Sequence, residues 1–417
     1  MTTETPVDTD SRKPEHLDWL LALTAIPTAA GHEGRVVRWI EHWLDNRSGF
    51  VTQTDPHGNI EIRIAGCAES DHPIYFTAHL DHPAFVVEEV CSETELILSF
   101  RGGVMSDYFP DAIIRVHYAD DAFSLCTIAG EHEPTPEGEK DERPFKLYRA
   151  VGGRPHHAEL GDIATWDLPE ATIIDDEFGG IVHTNACDDL AALAAALAAI
   201  DELRLAKNAG AEVGDVRVLL TRAEEVGFIG AIGASKDGFM PKGSRIIALE
   251  NSRAFPDSPI HGGPIVRVGD RISIFSPELT GAVAKVAERI AGGPAAPTAS
   301  QKMSDMPKWK WQRKLMAGGA CEASVYCAYG YCATCVCLPL GNYHNMANLS
   351  EVQDGSFNGV PRVGREYIGV DDYYGMVDLL VGCGMDLPAS PGFVERLEKL
   401  WADKRFVVEQ SPESGRA

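Results

Sequence analysis

Acidic and histidine residues follow several apolar runs of this sequence, at the points where strands are expected to end. Glu224 and Glu225 come directly after residues 216–222, whose apolar and β-branched composition predicts a buried strand. In an open α/β sheet, ligands bind beyond the carboxyl ends of the strands. Two carboxylates are costly to bury at such a place unless a cation accompanies them. Taken alone, the pair is equally consistent with a solvated turn that carries two surface glutamates.

The same arrangement recurs at four other places in the chain. The residues concerned are His79 with Asp81, Asp188 with Asp189, Glu250, and His344. All but the aspartate pair follow a predicted strand, and the aspartate pair precedes a predicted helix. Two histidines and several carboxylates are the ligand types of paired zinc, cobalt or manganese ions. A histidine at a strand end is more often an ordinary surface residue, and His82, His183 and His261 are interpreted in that way.

The order of the predicted elements indicates an α/β fold with an inserted all-β module. Helices are predicted over residues 14–26, 36–44, 190–203, 278–291 and 369–383, and strands over residues 60–64, 73–78, 216–222, 245–249 and 332–338. Between residues 85 and 182 helical periodicity disappears, short strands alternate with turn residues, and residues 131–155 are predicted to form a loop. The expected division is an α/β domain over residues 14–84 and 183–405, a β domain over 85–182, and tails at 1–13 and 406–417.

The composition excludes several classes of protein. The 417 residues are 44% hydrophobic and 24% charged, which is typical of a globular chain with more than one core. The formal net charge of −25 argues against binding to nucleic acid. The first ten residues lack the basic and apolar regions of a signal peptide, and no apolar run is long enough to span a bilayer. We therefore expect a cytoplasmic protein without membrane or nucleic-acid partners.

Ten cysteines are present, and five of them lie between Cys321 and Cys337. Cys332 and Cys335 form a Cys-x-x-Cys pair, which is compatible with a zinc site. No second pair of cysteines or histidines stands nearby, and residues 332–338 are an apolar run. Cysteine behaves as a small hydrophobic residue in such a run, so a core strand is the preferred interpretation.

The ordered set of motifs resembles the co-catalytic two-metal exopeptidases. The similarity is greatest to the self-assembling metal aminopeptidases that include the glutamyl and deblocking aminopeptidases, and it covers most of the chain. The segments that carry it are residues 25–34, 55–59, 78–81, 185–189, 224–231, 261–270 and 318–322, followed by His344. The resemblance implies a zinc-exopeptidase-like fold, with a central mixed sheet flanked by helices and an inserted small β-barrel-like domain. It also implies a homo-oligomer that hydrolyses amino-terminal residues from short peptides.

The resemblance also implies a role for each residue of a metal site. Asp188 corresponds to a carboxylate that bridges two divalent cations, most simply zinc, with cobalt or manganese as alternatives. His79 and Glu250 would complete the coordination of one cation, and Glu225 and His344 that of the other. Two cations about 3.5–4 Å apart polarise a carbonyl group and lower the pKa of a shared water.

Two residues beside the implied ligands have implied catalytic roles. Glu224 corresponds to the general base, which takes the proton of the water and passes it to the leaving amine. Asp81 would orient His79 by accepting the proton on its other ring nitrogen. Adjacent side chains on an extended chain point apart, so Glu224 and Glu225 do not form the facing carboxylate pair of a glycosidase.

The sequence departs in three respects from the pattern of the family that it resembles. An acid usually comes directly after the His-x-Asp motif of residues 79–81, whereas here His82 and Pro83 follow it. Arginine usually comes after the pair Asp188 and Asp189, whereas here Leu190 follows it. Both differences bear on substrate contacts. The ligand at position 250 is usually Asp and here is Glu. Glu250 is typical of the related two-metal carboxypeptidases and N-acyl amino acid deacylases, which are therefore an alternative function. A non-catalytic binding or assembly protein is a second alternative, and the intact Glu224 argues against it.

One segment is both basic and aromatic, and it contains Lys308, Trp309, Lys310, Trp311, Arg313 and Lys314. Such a segment is compatible with contact to acidic substrates, but more often it is a solvated face or a contact between subunits. We expect either this segment or the inserted β module to lie at a subunit contact of the implied oligomer.

Overall fold

Regular structure fills most of the chain in the computed structural model, which describes residues 9–132, 144–295, 309–389 and 392–409. The strands of these residues are β1 (Phe50–Thr54), β2 (Ile60–Ile64), β3 (Ile74–His79), β4 (Ala84–Ser92), β5 (Glu95–Arg101), β6 (Ile113–His117), β7 (Phe123–Glu131), β8 (Leu147–Gly152), β9 (Ile163–Trp166), β10 (Thr172–Ile174), β11 (Ile181–Thr184), β12 (Val216–Thr221), β13 (Arg245–Arg253), β14 (Ile265–Gly269), β15 (Gln312–Leu315), β16 (Cys332–Leu340) and β17 (Glu366–Gly369). The helices are α1 (Lys13–Thr24), α2 (Gly34–Asp45), α3 (Leu190–Asn208), α4 (Ile229–Asp237), α5 (Pro277–Ala291), α6 (Glu322–Ala328), α7 (Leu349–Asp354), α8 (Val370–Asp386), α9 (Phe393–Lys404) and α10 (Phe406–Glu409).

An eight-stranded mixed sheet forms the centre of the α/β part, in the order β1-β2-β12-β3-β13-β16-β14-β15. Strands β12, β3, β13 and β16 are parallel to one another, whereas β2 and β14 pair antiparallel with them on either side. Parallel strands that are covered on both faces carry nearly continuous apolar runs, and β3 and β12 are buried along their whole length. The carboxyl ends of the four parallel strands therefore meet at one edge of the sheet.

Helices cover both faces of this sheet. Alternate strand residues point to opposite faces, so Phe76 belongs to the core cluster that includes α1, α3, α5 and α8, while Tyr75 belongs to the cluster that includes α4 and α6. Helix α3 is buried on nearly all sides. Its first three turns consist only of leucine, alanine and isoleucine, and a helix that is apolar all round is typical of a core position.

A closed barrel of six antiparallel strands interrupts the α/β part, in the order β4-β5-β8-β7-β6-β9. Aromatic rings fill much of its interior. Phe109 stacks on Tyr148 with ring centroids 4.3 Å apart, and Phe85 packs edge-on against Trp166 with centroids 4.9 Å apart. The predicted α/β fold with a central mixed sheet and an inserted β-barrel-like module is therefore confirmed.

The predicted loop over residues 131–155 is wrong at its C-terminal end, because β8 pairs there with β5 and β7. In β8, Tyr148 and Ala150 are buried and alternate with more exposed residues. The neighbouring charged residues hide this period of two in the sequence. The central part of the predicted loop lies outside the described residues. The domain boundaries near residues 84 and 182 remain a prediction; strands β10, β11 and β17 form a separate small sheet.

Helical structure extends into both predicted tails. A 3-10 helix over Thr9–Arg12 leads into α1, so the end of the tail expected over residues 1–13 is helical. The guanidinium of Arg12 lies 2.7 Å from the Asp201 carboxylate and 2.9 Å from that of Glu202, which ties this helix to α3. Helix α10 lies where the C-terminal tail was expected to begin. In the part of the chain that the structure describes, no helix has the length and apolar character needed to cross a membrane.

The basic and aromatic segment over residues 308–314 is not a continuous cationic surface. Trp311 is buried, and the Lys310 ammonium donates to the carbonyl oxygen of His261 at 2.8 Å. Of the alternatives left open for this segment, a solvated face does not describe Trp311 and Lys310, whose side chains are engaged within the chain. The reason is that β15 pairs with β14 at the edge of the main sheet. Lys308 lies outside the described residues.

Candidate metal centre

His79 lies buried at the carboxyl end of β3. Its ring nitrogen Nδ1 is 3.1 Å from the main-chain oxygen of Asp81 and 3.5 Å from the Asp81 carboxylate. This environment favours a proton on Nδ1 and leaves Nε2 available as a ligand atom. Nε2 faces two carboxylates, with Asp188 Oδ1 at 3.4 Å and Glu224 Oε2 at 3.9 Å.

His344 approaches the same aspartate from another direction, on the 3-10 helix Tyr343–Asn345 that follows β16. Its Nε2 atom lies 3.5 Å from Asp188 Oδ2 and 3.3 Å from Glu225 Oε1. Its Nδ1 atom lies 2.7 Å from the carbonyl oxygen of Gly103, so the connection after barrel strand β5 also orients this ring. The two oxygens of Asp188 thus face different histidines, as expected of a carboxylate shared between two cations.

Two groups of ligand atoms share Asp188, and each is compact enough to hold one ion. They are His79, Asp188, Asp189 and Glu250, and Asp188, Glu225 and His344, with the ligand atoms of each group within 4.8 Å of one another. Asp188 Oδ1 and Glu225 Oε1 are buried without a hydrogen-bond partner. Buried acceptors without a donor are costly, and a cation satisfies such oxygens. The residues of both groups therefore fit two divalent cations.

Burial and mutual charge shift the pKa of these groups strongly. Burial opposes the charging of His79 and His344, but the charges of Glu224 and Glu225, with further carboxylates, outweigh it and hold both histidine pKa values well above their ordinary value. Burial raises the pKa of Glu250 well above its ordinary value, and neighbouring carboxylates add to the effect. Cation binding requires deprotonated ligands, so bound cations would take the place of these protons.

A short turn after β12 presents the paired glutamates. The carboxylate of Asp81 accepts the main-chain N–H groups of Glu224 at 2.9 Å and of Glu225 at 3.0 Å. Ala223, directly before the pair, has a φ of 53°, a left-handed conformation that is uncommon for a residue with a side chain. Asp81 therefore fixes the turn that carries both glutamates, which is a contact that the sequence did not predict.

Glu366 is a buried residue of the site that the sequence patterns did not indicate. Its Oε2 atom accepts the N–H groups of Cys187 at 2.7 Å and Asp188 at 3.0 Å, and its Oε1 atom accepts that of His344 at 2.8 Å. One carboxylate thus fixes the backbone of two predicted ligands. Burial raises the pKa of Glu366 to about 7. The residue lies on β17, which is too short to give a periodic signal in the sequence.

Two histidines that were interpreted as surface residues are buried. The Nδ1 atom of His82 lies 2.5 Å from the main-chain oxygen of Asp188, and its Nε2 atom lies 3.0 Å from Asn345 Oδ1. His261 forms an ion pair with Asp371 at 2.5 Å. The surface interpretation is wrong for both residues, because each ring satisfies its polar atoms inside the protein.

A cleft of about 650 Å³, including its open mouth, lies beside Glu250. Its lining combines apolar side chains such as Met316 with two arginines, Arg253 and Arg267. Arg267 is only 2% exposed; its guanidinium donates to Ser252 Oγ at 3.1 Å, while its Nε atom has no hydrogen-bond partner. A cationic pocket therefore lies next to the first group of ligand atoms.

The fold and the site together define a class of protein. An α/β sheet with two ligand groups and a candidate base at its carboxyl edge is typical of metal-dependent hydrolases. The family model of the M42 glutamyl aminopeptidases matches residues 58–292, more than half of the chain. The chain belongs to this family and is a metal-dependent aminopeptidase. This finding confirms the predicted family and activity.

Solved structures share the fold at low sequence identity. An aminopeptidase from Desulfurococcus kamchatkensis is 18% identical, with a TM-score of 0.65 over 93% of this chain and 98% of its own. A TET aminopeptidase from a marine sediment Thaumarchaeota archaeon is 18% identical, with a TM-score of 0.66 over 93% of this chain and 99% of its own. The Pyrococcus horikoshii TET1 peptidase is 18% identical, with a TM-score of 0.65 over 90% of this chain and all of its own. The comparison with curated protein sequences found no match.

Proposed function

We propose that this enzyme removes the first residue of short peptides with two divalent cations. The proposed ligands are His79, Asp188 and Glu250 for one cation, and Asp188, Glu225 and His344 for the other. The observation that supports this assignment is that the two oxygens of Asp188 face different histidines, at 3.4 and 3.5 Å. Cations bound there would polarise the scissile carbonyl group and lower the pKa of a water molecule between them.

Glu224 is the proposed general base. Its Oε2 atom lies 3.9 Å from His79 Nε2, at the margin of the ligand atoms. Burial raises the pKa of Glu224 well above its ordinary value, which suits a carboxylate that accepts a proton and then returns it to the leaving amine. Asp81 is the proposed positioning residue, because it contacts both His79 and the N–H group of Glu224.

We also propose a preference for peptides whose first residue is acidic. The buried guanidinium of Arg267 lines the cleft beside Glu250 and has an unpaired Nε atom. A buried guanidinium is best satisfied by a carboxylate, which can accept two parallel hydrogen bonds. A glutamate side chain at the start of a peptide would supply this carboxylate while the amino end of the peptide lies at the ligand residues. The name of the family, glutamyl aminopeptidase, agrees with this preference.

Zinc is the proposed cation, because histidine and carboxylate ligands suit it, with cobalt and manganese as alternatives. We propose that the enzyme is a homo-oligomer, since the Pyrococcus horikoshii TET1 peptidase, which shares its fold, can assemble into a tetrahedron or a large octahedral shell. A cytoplasmic location is proposed because all ten cysteines are free thiols, as is usual in reducing compartments.

A peptide panel tests the proposed function. The enzyme is stripped with a chelator, reloaded with zinc, cobalt or manganese, and offered peptides that start with Glu, Ala or Lys, each with a free or an acetylated amino terminus. We expect metal-dependent release of the first residue from free peptides only, and fastest release for Glu. Turnover of acetylated peptides without turnover of free ones would overturn the proposal and establish a deacylase.

The acidic preference has its own test in Arg267→Met, which keeps the length of the side chain and removes its charge. We expect turnover of Glu peptides to fall about 10–100-fold relative to Ala peptides, the value of one charged hydrogen-bonded pair. Arg253→Met is the matched control, because Arg253 lines the same cleft but already donates to Gln353 and Ser350. An unchanged ratio of Glu to Ala turnover in Arg267→Met would show that the pocket assignment is wrong.

A further inference from the structure

The C-terminal helices α9 and α10 expose an apolar stripe. Every side chain from Val394 to Glu409 is exposed. Seven of them are large and apolar, with exposures from 46% to 70%: Val394, Leu397, Leu400, Trp401, Phe406, Val407 and Val408. In α9, Val394, Leu397 and Trp401 recur at spacings of three and four, so they share one face of the helix. Exposed large apolar side chains on one face of a helix mark an interaction site.

The rest of this chain does not have the composition to cover the stripe. Five segments lie outside the described residues, namely 1–8, 133–143, 296–308, 390–391 and 410–417. Their large apolar residues are Met1, Val7, Met303 and Met306, and the other residues of these segments are small, polar, charged or proline. Four scattered side chains are too few to bury the seven of the stripe. These segments therefore offer few apolar side chains that could cover the stripe.

We propose that the partner of the stripe is α9 of a second copy, packed antiparallel against the first. Helix α9 carries equal numbers of acidic and basic residues, whereas the whole chain has a net charge of −25. Two copies of such an acidic protein repel each other over most of their surface. The neutral α9 is a place where two copies can approach without that repulsion.

The distribution of charge along α9 favours the antiparallel direction. The first half contains Glu395, Arg396 and Glu398, and the second half with its C-cap contains Lys399, Asp403, Lys404 and Arg405. The first half is net negative and the second half is net positive, so antiparallel packing places opposite charges side by side. The helix dipoles are also opposed in this arrangement. The contact is the same surface on both copies, as in a two-fold symmetric pair.

The pair is short, because twelve residues of helix span about 18 Å. Such a contact is weak alone, and other contacts between the same copies would raise its effective concentration. The proposed pairing needs only two copies of the chain and does not depend on the assigned enzymatic mechanism. Its test therefore uses particle mass, with peptide turnover as an independent measure that the protein is intact.

Leu397→Glu places a charge within the stripe, and Lys399→Gln is its matched control. The control changes the net charge by the same amount, but Lys399 lies on the opposite side of α9 from the stripe. We expect light scattering at a series of protein concentrations to give smaller particles for Leu397→Glu than for the wild type, and wild-type particles for Lys399→Gln. Turnover of a peptide should remain normal in both variants. Normal turnover would show that the protein in the smaller particles is still folded. Equal masses for Leu397→Glu and the wild type would overturn the proposal, as would a wild type that is monomeric throughout the series.

Charge reversal decides whether the partner is a second copy. One variant combines Glu395→Lys with Glu398→Lys, which makes both halves of α9 positive, and another combines Lys404→Glu with Arg405→Glu, which makes both halves negative. We expect each variant alone to form smaller particles and an equimolar mixture to recover the wild-type mass. If the mixture does not recover it, pairing with a second copy is wrong, and a different protein is the occupant of the stripe.

Discussion

The carboxyl edge of the main sheet and the C-terminal helices depart from ordinary burial in opposite directions. At the sheet edge, ionisable side chains such as Asp188 and His344 are buried; in α9, apolar side chains such as Leu397 and Trp401 are exposed. Ionisable groups avoid the interior unless they are paired, and large apolar surfaces avoid water. Each region is incomplete in one copy of the chain, and the proposals complete the first with cations and the second with another copy.

The two regions differ in how firmly the chain holds them. At the sheet edge, Asp81 fixes the glutamate turn and Glu366 fixes the backbone of two ligands, so the main chain that carries these side chains is held within the protein. In α9 the helix itself is the main constraint on the stripe. The difference suggests that a catalytic centre needs fixed geometry, whereas an association surface needs only a continuous apolar face.

The largest expected effect separates the two glutamates at the sheet edge. Glu224→Gln keeps the shape and removes the base, so turnover should fall by ~10²–10⁴-fold while the metal content stays near that of the wild type. Glu225→Gln removes a charged ligand, so metal occupancy should fall and excess metal should restore part of the activity. Elemental analysis and one peptide assay measure both variants. If Glu224→Gln loses metal while Glu225→Gln keeps it, the roles of the two residues are swapped. If neither variant changes the metal content or the turnover, the site is wrongly assigned.

A smaller effect is expected at Glu366, because this residue acts on the metal through two ligands. Glu366→Gln replaces one accepting oxygen by an NH₂ group that faces N–H donors, and metal affinity should fall about 10–100-fold, as for other supports of metal ligands. Competition with a coloured chelator measures the affinity. Glu177→Gln is the control, because Glu177 is exposed on the loop before β11. Equal losses in the two variants would mean that Glu366 does not position the ligands.

The stability of the metal-free enzyme should fall as the pH rises. The pKa values of His79 and His344 in the folded protein lie well above the ordinary value of 6.5. The two histidines therefore stabilise the fold fully below pH 6.5, and this stabilisation is lost as the pH rises through their pKa values in the folded protein. The pKa of Glu250 is also raised, so the stability of the fold falls for the same reason as the pH rises above the ordinary value of 4.5 for this group. Urea unfolding across the neutral range measures this trend, and added zinc should reverse it because the ligands bind zinc when deprotonated. A metal-free enzyme that gains stability from about pH 6 to 9 would contradict the assignment of these pKa shifts.

The sequence predicts the sheet edge better than its surroundings, for a physical reason. Strands such as β3 and β12 are long apolar runs, and parallel strands must deliver the residues that follow them to one edge. The contacts of Glu366 depend on β17, a strand of four residues whose partner β11 lies far away in the sequence, and local patterns carry no such information. The spacing of apolar residues in α9 is visible in the sequence, but no pattern reveals that the described residues leave this face exposed.

The smallest expected effect contrasts two leucines in helices. Leu197 is fully buried in α3, and Leu397 is 46% exposed in α9. Leu197→Ala should destabilise the fold by about 2–5 kcal/mol through lost contacts and a cavity. Leu397→Ala should change the free energy of unfolding by less than about 0.5 kcal/mol when the protein is dilute enough for copies to separate. Urea unfolding of both variants at low concentration measures the two values. Equal losses would mean that α9 packs within its own chain, and the exposed stripe would then need no second copy.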